Sequence, residues 1–75
     1  RSHFARAFKV TTGTTPLQWL LAQRLERAKS LLLKSDLRID QIAHLCGFAD
    51  QSHFTRVFLK ATKVTPGLWR RLSRL

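Results

Sequence analysis

Apolar residues along this chain recur at spacings of three and four, the period of helices with one buried face. Residues 1–12 carry Phe4, Phe8 and Thr11 on one side and read as a first helix. Thr15–Pro16 is a start signal: a capping hydroxyl, then a proline whose fixed φ suits the first helical position. The helix it opens is predicted to run to about Lys34, with Leu20, Leu21, Leu25, Ala28, Leu31 and Leu32 on its apolar stripe. SDLR at 35–38 breaks it. Ile39, Ile42, Ala43 and Cys46 then predict a short helix over 39–46, ended by Gly47, which supplies a left-handed turn. Asp50 caps a helix over 51–62, and Thr65–Pro66 opens a closing helix over 66–74. No window reads as a strand, and no linker is long enough to separate two domains. The expectation is one all-α domain over 1–75.

The polar positions add a repeat. RSHFARAF at 1–8 returns as QSHFTRVF at 51–58, and TTGTTP at 11–16 returns as ATKVTP at 61–66. At this offset of 50, 9 of the 19 positions from 1–19 are identical, too many for chance in so short a chain. Each copy is a cationic amphipathic helix. Phe4 and Phe8, like Phe54 and Phe58, lie on one edge and are read as core. The other face holds Ser2, Ala5, Arg6 and Lys9 in the first copy and Ser52, Thr55, Arg56 and Leu59 in the second. Small residues beside an arginine suit close approach to base edges: serine donates or accepts, a methyl meets thymine, and arginine can fork onto guanine O6 and N7. The alternative is that Arg6 and Arg56 are solvated surface residues; their matched placement in both copies favours contact with DNA.

Charge sharpens this. With 14 Lys and Arg against 4 Asp and Glu, the formal net charge is +10, which points to an anionic polymer or surface. The long helix from Pro16 to Lys34 can space the two basic helices along one duplex. It extends about 28 Å at 1.5 Å per residue, against about 34 Å between successive major grooves on one face. Arg24, Arg27 and Lys29 are assigned to its backbone-facing side, with Arg24 partly buried against a helix end or turn. The 39–46 helix, glycine turn and 51–62 helix together have helix-turn-helix form, in which the second helix enters the major groove. In the turn, Phe48 is expected to tuck inward.

Other chemistries find little footing. His3, His44, His53 and Cys46 match no zinc-finger or ribbon spacing, so no metal or cofactor is expected, and the histidines read as boundary residues near the backbone. Asp36, Asp40 and Asp50 sit near helix starts and are read as capping residues. No paired acids, phosphate loop or nucleophile–base grouping stands out, and no enzyme activity is expected. Cys46, the sole cysteine, reads as a small buried hydrophobe; it permits no intrachain disulfide and fits a reducing, cytoplasmic compartment. Apolar runs such as WLLA and LLL are too short to cross a bilayer, and no secretory leader is visible. Two rivals to DNA are a protein-contact module anchored by Leu17, Leu33 and Leu59, and a membrane-surface peptide; the turn signals and small residues speak against the latter.

The chain resembles the DNA-binding domain of the AraC/XylS family of bacterial transcription regulators. The resemblance rests on TP-x-x-W-L-x-x-x-R-L-x-x-A-x-x-L-L at 15–32, I-x-x-I-A-x-x-x-G-F at 39–48 and QSHFTRVFLKATKVTP at 51–66, and covers essentially all 75 residues. It implies two homeodomain-like helix-turn-helix units joined by a long central helix, with both recognition helices entering adjacent major-groove turns of a double-stranded promoter. Carried over by position, Ser2, Ala5, Arg6 and Lys9 belong to the first recognition helix, and Gln51, Ser52, Thr55 and Arg56 to the second. The resemblance further implies transcriptional activation, often through RNA polymerase, and a separate N-terminal effector-sensing or dimerisation domain. Three departures follow. The chain opens inside the first recognition helix, so the first unit is expected to be incomplete. Ala5 stands where a longer polar reader often occurs. Lys63 stands where Gly13 stands in the first copy, and there a positive φ would cost about 1 kcal/mol.

Overall fold

The computed structural model describes residues 15–75. The segment predicted to be the first recognition helix, with Ser2, Ala5, Arg6 and Lys9, lies outside them. Four α-helices are present: α1 (Pro16–Lys34), α2 (Ile39–Leu45), α3 (Gln51–Thr62) and α4 (Pro66–Ser73).

Each start is marked by local chemistry. Thr15 is extended, and its Oγ1 accepts from the Gln18 N–H at 3.1 Å while Gln18 Oε1 accepts from the Thr15 N–H at 3.1 Å. This reciprocal box satisfies donors that the first turn leaves without carbonyl partners. Thr65 repeats the device ahead of α4, its Oγ1 accepting from the Leu68 N–H at 3.2 Å. At α3 the Asp50 carboxylate accepts from the His53 N–H at 2.8 Å. α2 starts differently: the Arg38 N–H donates to Gln41 Oε1 at 2.9 Å.

The capping role expected of Asp36 is therefore corrected: it pairs with Arg74. Asp40 lies in the first turn of α2, where its carboxylate pairs with Arg38 and is also favoured by the backbone N–H groups of Asp40 and Gln41. Among the three aspartates, Asp50 alone is the N-cap residue. The ends also differ slightly from the sequence reading. α2 stops at Leu45, with Cys46 as its cap, and α4 stops at Ser73.

α1 ends at Ser35, whose hydroxyl donates to the Leu31 carbonyl at 2.7 Å. Gly47 closes α2 at φ 86°, a left-handed conformation that a residue with a Cβ adopts only at a cost. The chain then folds back, the Phe48 N–H donating to the Ala43 carbonyl at 3.0 Å. α3 ends the same way, but with Lys63 in the left-handed position at φ 72°. The strain read from the sequence is real: lysine holds a glycine conformation here.

The core is a single cluster. Leu25, Ala28 and Leu32 of α1, spaced three and four apart, meet Ile42 and Ala43 of α2, the turn residues Cys46 and Phe48, and Phe54 and Phe58 of α3. Ile42 and Ala43 cover the two phenylalanines, as their spacing suggests, and all four are fully buried. Burial of each phenylalanine contributes about 1.5–3 kcal/mol. Aromatic contacts run on from Phe48 to Phe54 to Phe58 to Trp69, each at an edge or tilted geometry. Of the apolar stripe read on α1, Leu21 and Leu31 pack partly buried against the core, whereas Leu20 is exposed. The buried stripe thus belongs to the C-terminal half of the helix.

α4 is fastened to the far end of α1 by two arginines. The Arg70 guanidinium donates to the Leu32 carbonyl at 2.9 Å and the Ser35 carbonyl at 3.1 Å. Those carbonyls lie at the C-terminus of α1, where the helix leaves acceptors unpaired and where positive charge is favoured. Arg74 adds a short hydrogen bond to the Ser35 carbonyl. Among the described residues, no helix is long and apolar enough to cross a membrane.

Candidate nucleic-acid interface

α2, the turn and α3 form the helix-turn-helix. α2 and α3 pack against each other, and α1 packs on α2. The turn is rigid for three reasons. Phe48 is buried and packs at a tilt against Phe54, ring centroids 4.9 Å apart. His53 Nδ1 accepts from the Ala49 N–H at 3.2 Å, which leaves the proton of the neutral ring on Nε2. And Arg24, half-buried, lies so close to Gly47 that a Cβ there would stand 3.0 Å from its Nε. Arg24, expected partly buried near a helix end or turn, thus lies half-buried beside this one.

With Phe54 and Phe58 turned inward, α3 presents the opposite side to solvent. Gln51, Ser52 and Arg56 are exposed and Thr55 is half-buried at the rim. All four residues assigned to the second recognition helix therefore lie on or beside one accessible face. Their counterparts in the first copy, Ser2, Ala5, Arg6 and Lys9, lie outside the described residues. The same face of α3 continues to Leu59, Lys60 and Lys63, all exposed. Lys60 and Lys63 were not among the site residues read from the sequence. Their signal was available: Ser52, Arg56, Leu59 and Lys63 follow one another at steps of four, three and four, a single stripe along the helix.

Electrostatics makes this face cationic. The four acids of the sequence are Glu26, Asp36, Asp40 and Asp50. Glu26 pairs with Lys29, Asp36 with Arg74 and Asp40 with Arg38, while Asp50 caps α3. The hydrogen bond from Arg38 holds the Asp40 carboxyl below the usual carboxylate range. No acid is left to face α3. Among the described residues, Arg56, Lys60 and Lys63 form no ion pair. Of the cations assigned to the backbone-facing side of α1, Lys29 is occupied by Glu26, Arg24 lies beside Gly47, and Arg27 is exposed.

A helix face with three unneutralised cations and no acid attracts a polyanion. It does not build a reaction centre. Cys46 is buried, and its burial pushes the thiol pKa up despite the opposing charge of Arg27. Among the described residues no group of three or more His, Cys, Asp or Glu could hold a metal ion. Nor do Leu17 and Leu33 share one docking patch. Leu17 and Leu33 stand on α1 about 24 Å apart along its axis and roughly 160° apart around it.

Comparison with known proteins settles the family. The model of the helix-turn-helix domain family matches residues 1–72. The chain belongs to the AraC/XylS family. The AraC-type DNA-binding regulator from Chromobacterium violaceum superposes with a TM-score of 0.88 at 33% identity, over 96% of this chain and 64% of that one. The DNA-binding domain of AdpA, crystallised in complex with a target DNA, superposes with a TM-score of 0.85 at 36% identity, over 97% of this chain and 66% of that one. In sequence, the chain is 42% identical over 66 residues to the HTH-type transcriptional activator RhaR of Salmonella arizonae, covering 88% of this chain and 23% of RhaR. The chain thus spans about a quarter of the length of such curated relatives. As an AraC/XylS member it is an all-α DNA-binding domain of tandem helix-turn-helix units, and not an enzyme.

Proposed function

We propose that this AraC/XylS domain binds bacterial promoter DNA sequence-selectively by setting α3 into the major groove, with Gln51, Ser52, Thr55 and Arg56 toward the bases. The observation that carries this is the unneutralised Arg56 on the exposed, acid-free face of α3, beside small polar residues that let the helix approach base edges. Ser2, Ala5, Arg6 and Lys9 are proposed to serve a second reading helix in the adjacent major-groove turn. The length of α1, about 28 Å, approaches the roughly 34 Å that separates such turns. Lys60 and Lys63 add phosphate attraction.

In the longer protein the domain regulates transcription as an activator, through contact with RNA polymerase, under an N-terminal sensing or dimerisation domain. Its place of action is the bacterial cytoplasm, where promoters lie. Support for activation comes from relatives: RhaR is named a transcriptional activator, and so is the xylose-binding protein xylR, which this chain matches at a TM-score of 0.86 and 35% identity.

The test is a competition of a selected duplex against a scrambled one, read by fluorescence anisotropy at about 50 and 200 mM salt. Selective binding is expected at both, with affinity falling steeply as salt rises, because each neutralised phosphate releases counterions. Equal affinity for the two duplexes would overturn the reading. Anionic vesicles in a parallel titration should bind far more weakly than the selected duplex.

A further inference from the structure

Leu59 is 43% exposed on the groove-facing side of α3, and its role is not supplied by the core. It follows Ser52, Thr55 and Arg56 at spacings of i, i+3, i+4 and i+7. Recognition helices of homeodomain units read bases from positions with that same spacing. At about 100° per residue, Leu59 lies within roughly 20° of Ser52 and between Thr55 and Arg56 around the helix. It is one further step along the line on which the proposed readers sit.

The surroundings identify the ligand. Arg56, Lys60 and Lys63, cations without an ion-pair partner among the described residues, all lie to one side of this leucine, within about 100° around the helix, and Thr55 lies to the other. An apolar group bordered by cations on one side and by threonines on the other suits a partner that sets an apolar group beside anionic ones. The major groove offers that arrangement: phosphates line both walls, and the floor carries one methyl, on C5 of thymine. From the geometry we infer that Leu59 is a specificity residue that packs on a thymine methyl, about 10 Å along the helix from Ser52 and so roughly three base pairs away. This rests on α3 being the DNA-reading helix. A leucine can neither donate nor accept, so its preference works through burial alone, and uracil, cytosine and guanine at that position lack the group it covers.

The experiment starts with duplexes selected from a random pool by the full 75-residue chain. Each thymine of the selected site is then replaced singly by deoxyuridine, which removes only the methyl. Binding is measured for the unaltered chain, Leu59→Ala and Arg56→Ala, with circular dichroism checking that each is folded. One thymine-to-uracil change is expected to weaken the unaltered chain about fourfold, the effect of losing one buried methyl. The same change should leave Leu59→Ala unaffected. If Leu59→Ala keeps the full uracil penalty at every position while Arg56→Ala loses affinity, α3 reads DNA but Leu59 does not read thymine. If no sequence is enriched, or Arg56→Ala binds as tightly as the unaltered chain, the DNA-reading face is itself misassigned and the thymine contact falls with it.

Discussion

The guanidinium of Arg24 occupies the space where a side chain at Gly47 would begin, 3.0 Å from an ideal Cβ at Nε and 3.2 Å at Cζ. The central helix thereby touches the turn of the helix-turn-helix at its least adaptable residue. Gly47→Ala is expected to destabilise the domain by about 1–2 kcal/mol through the left-handed backbone alone, with an added cost from displacing Arg24. Urea unfolding in two backgrounds separates the parts. In an Arg24→Ala chain the glycine substitution should cost less, and an equal cost in both would mean that Arg24 swings aside freely.

Lys63 poses the converse case. It holds φ 72° with its backbone N–H donating to the Leu59 carbonyl at 2.7 Å, a bond that glycine would keep, so Lys63→Gly should stabilise the fold by about 0.5–1 kcal/mol despite the added freedom of the unfolded chain. The same variant removes a cation from the α3 face. If Lys63 meets a phosphate, the slope of log affinity against log salt should shrink by about 0.9. A melting midpoint at or below that of the unaltered chain contradicts the strain argument.

Arg56→Ala is expected to cost more specific DNA affinity than Lys34→Ala. A well-placed arginine–guanine contact is worth about 1–3 kcal/mol of discrimination, whereas Lys34 is an exposed residue of the last turn of α1. Specific and scrambled duplexes should be titrated with each variant. Losses of the same size on both duplexes would reduce Arg56 to a phosphate contact.

Arg70→Ala should loosen α4. Its two hydrogen bonds end on carbonyls at the C-terminus of α1, and bonds involving a charged donor contribute about 1.5–3 kcal/mol. Arg70→Lys keeps the charge but not the planar fork, and should recover only part of the loss. Amide exchange would locate the change: protection should fall first in α4, while the α2–α3 core keeps its own.

Cys46 gives a pH-dependent test. Burial raises its thiol pKa, so the folded protein holds it neutral and should alkylate slowly at neutral pH. In the unfolded chain the thiol ionises near its ordinary value of about 8.5. The stability it contributes is therefore complete below that value and is lost as pH rises through the higher folded value. Cys46→Ala should flatten the alkaline end of the stability profile, and an unchanged slope would remove Cys46 as its source.

Helix starts were legible in the sequence wherever the marker acts within one turn: Thr15, Asp50 and Thr65 each bond a backbone N–H three residues ahead. Asp36 misled because its partner, Arg74, lies 38 residues further on, and no local pattern announces that pairing. Arg70 was silent for the same reason. The exposed face of α3 was legible from period alone, since burying Phe54 and Phe58 forces Ser52 and Arg56 outward. That Arg56 lacks a counter-ion was not legible, because it depends on where the folded chain commits its few acids.

Leu25, Ala28 and Leu32 make the second half of α1 part of the same solid body as α3. The bearing of the Thr15 end relative to α3 is then a fixed phase rather than a slack tether. One residue inserted between Trp19 and Ala22 would rotate that end by about 100° while advancing it only 1.5 Å or so. Seven inserted residues would restore the bearing to within roughly 20° and add about 10.5 Å, close to three base-pair steps. Such a helix behaves as an indexed shaft: its length can change productively only in increments that bring the rotation back into register.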